Sequence, residues 1–103
     1  MPAASGGHNA DVTVQLVWLS DAAQVDVVVR APGPWRELVE AGPGLLVAET
    51  DETVSRVYHE VKAMLPEDCA LVVAPLQHRP KARGLSEGTV SWLRARLPLP
   101  DRE

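Results

Sequence analysis

The chain has 103 residues, which is enough for one domain with a modest core, and its apolar share of 46% is ordinary for a globular protein. No apolar run approaches the roughly 18 to 20 residues of a membrane span. The single cysteine excludes an intrachain disulfide framework. Because the first residues also lack the basic and apolar regions of a signal peptide, we expect a cytoplasmic protein.

The net charge of −4 is unevenly distributed along the chain. Residues 69–97 contain five basic side chains against Glu87 alone, a net charge of +4, and the remainder therefore carries −8. A separation of this kind can steer an acidic partner toward one end of a protein. Solvated loops and helix ends produce the same pattern without any partner, and the sequence leaves both interpretations open.

The N-terminal half predicts a disordered tail followed by a hairpin. Residues 1–11 are small and polar, with nothing to bury. Residues 12–18 and 25–29 alternate between apolar and polar side chains, which predicts two antiparallel strands. Prolines end the second strand, and residues 35–41 then predict a short helix that Gly42-Pro43-Gly44 terminates.

The C-terminal half has clearer signals. Residues 45–49 predict a third strand, and valines three and four apart predict a helix over 50–65, capped by Thr50 or Asp51 and ended by Pro66. The uninterrupted apolar run 71–74 predicts a strand buried on both faces and closed by Pro75. A last helix over 86–97 is predicted with Ser86 as its cap, and residues 98–103 form a C-terminal tail.

These elements predict a single small α/β (α+β) domain over residues 12–97. The predicted order is β-β-(α)-β-α-β-α, in a mixed sheet of about four strands. The third and fourth strands should run parallel through a helical crossover. We expect the helices at 50–65 and 86–97 to pack on one face of that sheet.

The loop of residues 75–88 concentrates the unusual chemistry of the chain. It leaves the end of a predicted strand and enters a helix N-terminus, a position at which α/β sheets bind ligands. Its glycines match no phosphate-loop pattern, and Glu87 would repel an anion. We interpret the loop and the adjoining helix as a candidate ligand- or partner-binding surface formed by His78, Arg79, Lys81, Arg83, Gly84, Ser86 and Trp92.

Catalytic, metal and nucleic-acid roles find less support in the sequence. Cys69 with His59 or His78 is the only pairing of a nucleophile with a base, and the acidic residues that precede Cys69 disfavour a thiolate. One cysteine and three histidines show no metal-ligand spacing, so we expect no metal and no cofactor. Nucleic acid is disfavoured by the acidic total and by the scarcity of aromatic residues.

The resulting functional hypothesis is a small non-catalytic interaction or accessory domain. In this hypothesis its loop of residues 75–88, the basic loop, contacts an acidic protein partner. Self-association as a homodimer is left open, because Trp18, Trp35 and Trp92 could serve as interface anchors as well as core. The predicted N-terminal hairpin could also supply an unprotected edge strand. The alternative is a small enzyme or an anion- or nucleotide-binding protein that uses the loop 75–88.

Overall fold

The structure, a computed structural model, describes residues 12–100, so the predicted tail at 1–11 and residues 101–103 lie outside it. It confirms a small α/β domain built on a four-stranded sheet. A 3₁₀ turn at Ala22–Gln24 precedes the first helix. The other elements are β1 (Thr13–Leu19), α1 (Val25–Arg30), β2 (Glu37–Gly42), β3 (Leu45–Thr50), α2 (Val54–Lys62), β4 (Leu71–Leu76) and α3 (Thr89–Arg96).

The sheet has the strand order β2-β3-β1-β4, and every pair of neighbours is antiparallel. The prediction of a mixed sheet is therefore wrong. β3 and β4 do run in the same direction, but β1 lies between them and pairs with both. This β-α-β-β-α-β order is the split β-α-β, or ferredoxin-like, arrangement, extended here by α3. That topology supports many unrelated functions and indicates none.

The predicted strand at 25–29 is a helix. Asp21 accepts a hydrogen bond from the backbone N–H of Ala23 at 3.0 Å and starts the 3₁₀ turn that leads into α1. Val25 and Val28, three residues apart, are fully buried, whereas Val27 is 44% exposed. The valines thus follow the helical period, and their β-branched character misled the prediction because strand propensity depends strongly on context. The early hairpin is absent from the described residues, and β1 is a central strand.

The predicted helix at 35–41 is also wrong, because residues 37–42 form strand β2. β2 and β3 make a hairpin in which Gly42 pairs with Leu45 across the two-residue turn Pro43-Gly44. Proline followed by a glycine at φ +72° is the signature of a type II turn. A side chain at position 44 would also meet the backbone oxygen of Leu19 at 2.5 Å. The Pro-Gly pair therefore joins two strands, where we expected it to end a helix.

The helix predicted at 50–65 is confirmed as α2, with Thr53 as its N-cap in place of Thr50 or Asp51. Its buried residues Val57 and Val61 pack with α1 against one face of the sheet. α3 packs on the opposite face, so the expectation that both main helices share a face is wrong. The reason lies in the strands: successive side chains point to opposite faces, and both faces of β1 and β3 carry apolar residues.

β4 is an edge strand, contrary to the prediction that residues 71–74 are buried on both faces. Val72 is 46% exposed. Pro75 lies within β4 opposite Gln15 and does not end the strand. An edge strand tolerates proline because the nitrogen, which carries no hydrogen, can face away from the neighbouring strand.

Candidate binding surface

In the structure the basic loop comprises residues 77–88, between β4 and α3, because residues 75 and 76 of the predicted loop belong to β4. It ends on β2, where the backbone N–H of Ser86 donates to the carbonyl of Ala41 at 2.8 Å. Ser86 is not the helix cap. α3 begins three residues later at Thr89, with Gly88 as its N-cap at φ +89°. The structure thus assigns Ser86 a backbone role that fastens the loop to the sheet.

Arg79 holds the C-terminal end of α3. Its Nε donates to the carbonyl of Leu97 at 2.8 Å, and a terminal guanidinium nitrogen donates to the carbonyl of Arg94 at 3.2 Å. Its backbone N–H donates to the carbonyl of Pro98 at 2.9 Å. The last carbonyls of a helix have no hydrogen-bond donor within the helix and carry partial negative charge. A guanidinium at this end supplies the hydrogen bonds and offsets the charge. Arg79 therefore has a structural role that the sequence did not reveal.

A cavity of about 320 Å³ lies between the basic loop and the outer side of α3. Arg79 and Lys81 approach it from the loop, and Arg94 approaches it from the helix. Its apolar lining comes from Val90, Leu93 and Leu99, together with Pro80 and Ala82 of the loop. Among the described residues, no carboxylate lines this cavity. The cavity therefore combines a cationic rim with an apolar interior, an arrangement suited to an amphipathic acidic ligand.

The remaining residues of the predicted surface are dispersed around this cavity. His78, Arg83 and Gly84 are exposed on the loop, outside the cavity lining. Gly84 has a φ of +81°, which favours glycine because the left-handed region is strained for other residues. Of the three cations on the loop, Arg79 and Lys81 line the cavity and Arg83 does not.

Trp92 faces the other side of α3 and belongs to an ion-pair network. Its Nε1 donates to Glu37 at 2.9 Å, and the guanidinium of Arg96 stacks over its ring, 4.0 Å from the centroid. Arg96 also forms ion pairs with Glu37 at 3.1 Å and Glu49 at 3.2 Å. These contacts fix α3 to β2 and β3, and they balance the charge of Arg96. Trp92 thus has a structural role and lies outside the cavity lining.

Six residues of the cavity lining are not among the site residues predicted from the sequence: Pro80, Ala82, Val90, Leu93, Arg94 and Leu99. The apolar side chain of Val90 predicts a buried position on the last helix, yet Val90 is 43% exposed, whereas Thr89 occupies a fully buried position. The sequence is ambiguous here because Thr89 and Val90 lie four and three residues before the buried Leu93, and either spacing allows a residue to share its face. Leu99 was assigned to the tail and is 61% exposed at the cavity rim.

The candidate catalytic pairs are not assembled. Cys69 precedes β4 and His78 follows it, so the two residues lie beyond opposite ends of one strand. The Cys69 thiol contacts the Ser20 hydroxyl at 3.9 Å and the Ala70 carbonyl at 3.6 Å. His59 is exposed on α2, where its ring meets the Tyr58 ring edge-on. Within residues 12–100, no group of three or more His, Cys, Asp or Glu could hold a metal ion.

The sheet face that carries α3 is open at its far end. Leu45, Trp18 and Val72 are register partners on three adjacent strands, so their side chains share this face. Trp18 is 39% exposed and Val72 is 46% exposed, and Leu45 is half-buried. Trp35, in contrast, packs against the core beneath α1 and α2. We call Leu45, Trp18 and Val72 the open patch.

No family model, curated protein or solved structure matches this chain. Within the described part of the chain, none of the helices has the length and apolar content needed to span a membrane.

Proposed function

We propose that the protein is a small non-catalytic interaction domain that binds an acidic protein partner through the basic loop and the outer side of α3. The observation that carries this proposal is the cavity in which Arg79 and Arg94 meet apolar side chains, with no carboxylate lining it among residues 12–100. Charge complementarity of this kind raises association rates and selects partners. The cytoplasmic location expected from the single cysteine stays a prediction.

The distribution of ion pairs supports this choice of surface. Arg36 pairs with Asp51, and Arg56 pairs with Glu60. Arg96 pairs with two glutamates across the sheet. At the cavity, the guanidinium of Arg79 donates to neutral carbonyls, which leave its positive charge in place. Arg79 therefore keeps its positive charge at the cavity, on a chain that is acidic as a whole.

An NMR titration with poly-L-glutamate tests the proposal directly. We expect amide shifts confined to residues 77–84 and 90–99, and an affinity that falls as salt is added. The triple substitution K81S/R83S/R94S should abolish these shifts. Arg79 is left in place because its guanidinium supports the end of α3. The matched control R30S/R36S/R56S removes the same charge from other surfaces and should leave the titration unchanged.

Two results would contradict the proposal. Poly-L-glutamate would fail to shift the basic loop at low salt, or the control triple variant would weaken binding as much as the loop variant does. The second result would mean that total charge, and not this surface, governs the interaction.

The alternative of an anion- or nucleotide-binding protein, or of a small enzyme that uses the same loop, rests on the same cations. Adding ATP in a parallel titration separates the two proposals. A ligand at about 100 times its Kd stabilises the folded state by about 2.7 kcal/mol, which raises the Tm by several degrees at this size. If ATP shifts the cavity residues and raises the Tm while poly-L-glutamate does neither, the alternative is preferred.

A further inference from the structure

We infer that the cavity beside α3 is an anchor pocket that receives one large apolar side chain of the acidic partner. This inference rests on the proposed function and specifies the chemistry of the partner. It requires a peptide segment in which one leucine or aromatic residue is flanked by carboxylates.

The dimensions of the cavity favour a single side chain over a larger ligand. Its volume of about 320 Å³ is at the lower limit of small-molecule sites, which span roughly 300–1,000 Å³. The buried Leu93 lies at its base, and the exposed Val90 and Leu99 lie at its rim. An apolar side chain placed there would be desolvated on several sides, which is the environment that makes a residue an interface hot spot.

The charges around the pocket define what must flank the anchor. Arg79 on the loop and Arg94 on the helix line the cavity from its two walls, and the partners of the Arg79 guanidinium are neutral carbonyls. Residues on either side of an inserted side chain would pass close to these cations. Carboxylates at those positions would gain favourable electrostatics, whereas lysine or arginine would meet like charge. The occupant is therefore an acidic peptide with a central apolar residue.

Two synthetic peptides test this inference by fluorescence anisotropy. Both are blocked nonapeptides with four glutamates on each side of a central residue, which is leucine in one and serine in the other. We expect the leucine peptide to bind at least about tenfold more tightly, because burial of a leucine side chain corresponds to a difference of that size or larger.

Matched variants test whether the cavity residues are responsible for the tighter binding of the leucine peptide. Val90→Ser should reduce the preference for leucine at least about threefold, and Leu99→Ser should do the same. Val27→Ser is the control, since Val27 on α1 is 44% exposed and Val90 is 43% exposed. Thermal melts of each variant confirm that it is folded before binding is compared.

Failure of this inference can be distinguished from failure of the proposed function. If both peptides bind equally well and the basic loop still responds to poly-L-glutamate, the anchor pocket is wrong and the acidic-partner proposal stands. If the preference for leucine survives Val90→Ser and Leu99→Ser, the apolar contact lies elsewhere and the inference is overturned. If neither peptide nor poly-L-glutamate binds, both proposals are wrong.

Discussion

The two faces of the sheet differ in how completely they are covered. Under α1 and α2, the core residues are almost entirely buried: Val17, Leu19, Val25, Val28, Leu46, Val57 and Val61. The opposite face is closed by α3 and the basic loop at one end, and it exposes the open patch at the other. Burial on the first face supplies most of the apolar stabilisation, which leaves the second face available for contacts with other molecules.

Removing apolar volume should distinguish the two faces most strongly. Leu46 is fully buried beneath the helices, so we expect Leu46→Ala to lower the free energy of unfolding by about 2–5 kcal/mol. Val72→Ala on the open patch should cost less than about 1 kcal/mol. Urea denaturation monitored by circular dichroism measures both variants. Equal losses would show that the exposed face contributes as much to folding as the closed one.

Substitutions of two arginines of the basic loop should also differ in their effect on stability, although the expected difference is smaller. Arg79→Ser removes two hydrogen bonds to the carbonyls at the end of α3, and we expect it to cost about 1–3 kcal/mol. Arg83→Ser changes an exposed residue and should remain within about 0.5 kcal/mol of the parent protein. Thermal unfolding of both variants under identical conditions checks the difference. Similar Tm values would argue against a structural role for Arg79.

The clearest effect on assembly is expected at Trp18. The open patch contains no charge, so two copies could pack there without like-charge repulsion, and we propose it as the surface of a homodimer. Trp18→Ser should abolish self-association, and because Trp18 is only 39% exposed the change should also lower the free energy of unfolding of the monomer by about 1–3 kcal/mol. Light scattering from micromolar to millimolar protein measures self-association. A parent protein that stays monomeric throughout would exclude the homodimer.

How far the sequence predicts this fold depends on whether local pattern and tertiary context agree. At α2 they agree: valines at helical spacing, an N-cap threonine and Pro66 all point to the same element. At residues 25–29 they conflict, because β-branched side chains favour a strand while the spacing of Val25 and Val28 suits a helix on the sheet. The Pro43-Gly44 turn was misassigned because a breaker ends either kind of element.

The candidate surface was predictable in location but not in composition. The charge separation indicates the basic loop, and two of the residues named from it, Arg79 and Lys81, line the cavity. The sequence could not show that Arg79 closes onto Leu97, eighteen residues away. Nor could it show that Leu99 folds back to the loop. Such contacts depend on the path of α3 across the sheet, which no local pattern encodes.

Pro75 has a consequence for the way in which this protein can polymerise. A sheet grows by strand addition when its outermost strand presents an unbroken row of N–H and C=O groups. On β4 that row is interrupted by the imide nitrogen of Pro75, and on β2 the carbonyl of Ala41 is already occupied by the N–H of Ser86. Both outer strands are thus poor templates for a continuous intermolecular ladder. We therefore expect concentrated solutions of the folded protein to resist fibril formation, and Pro75→Val to shorten the lag time of thioflavin-monitored aggregation.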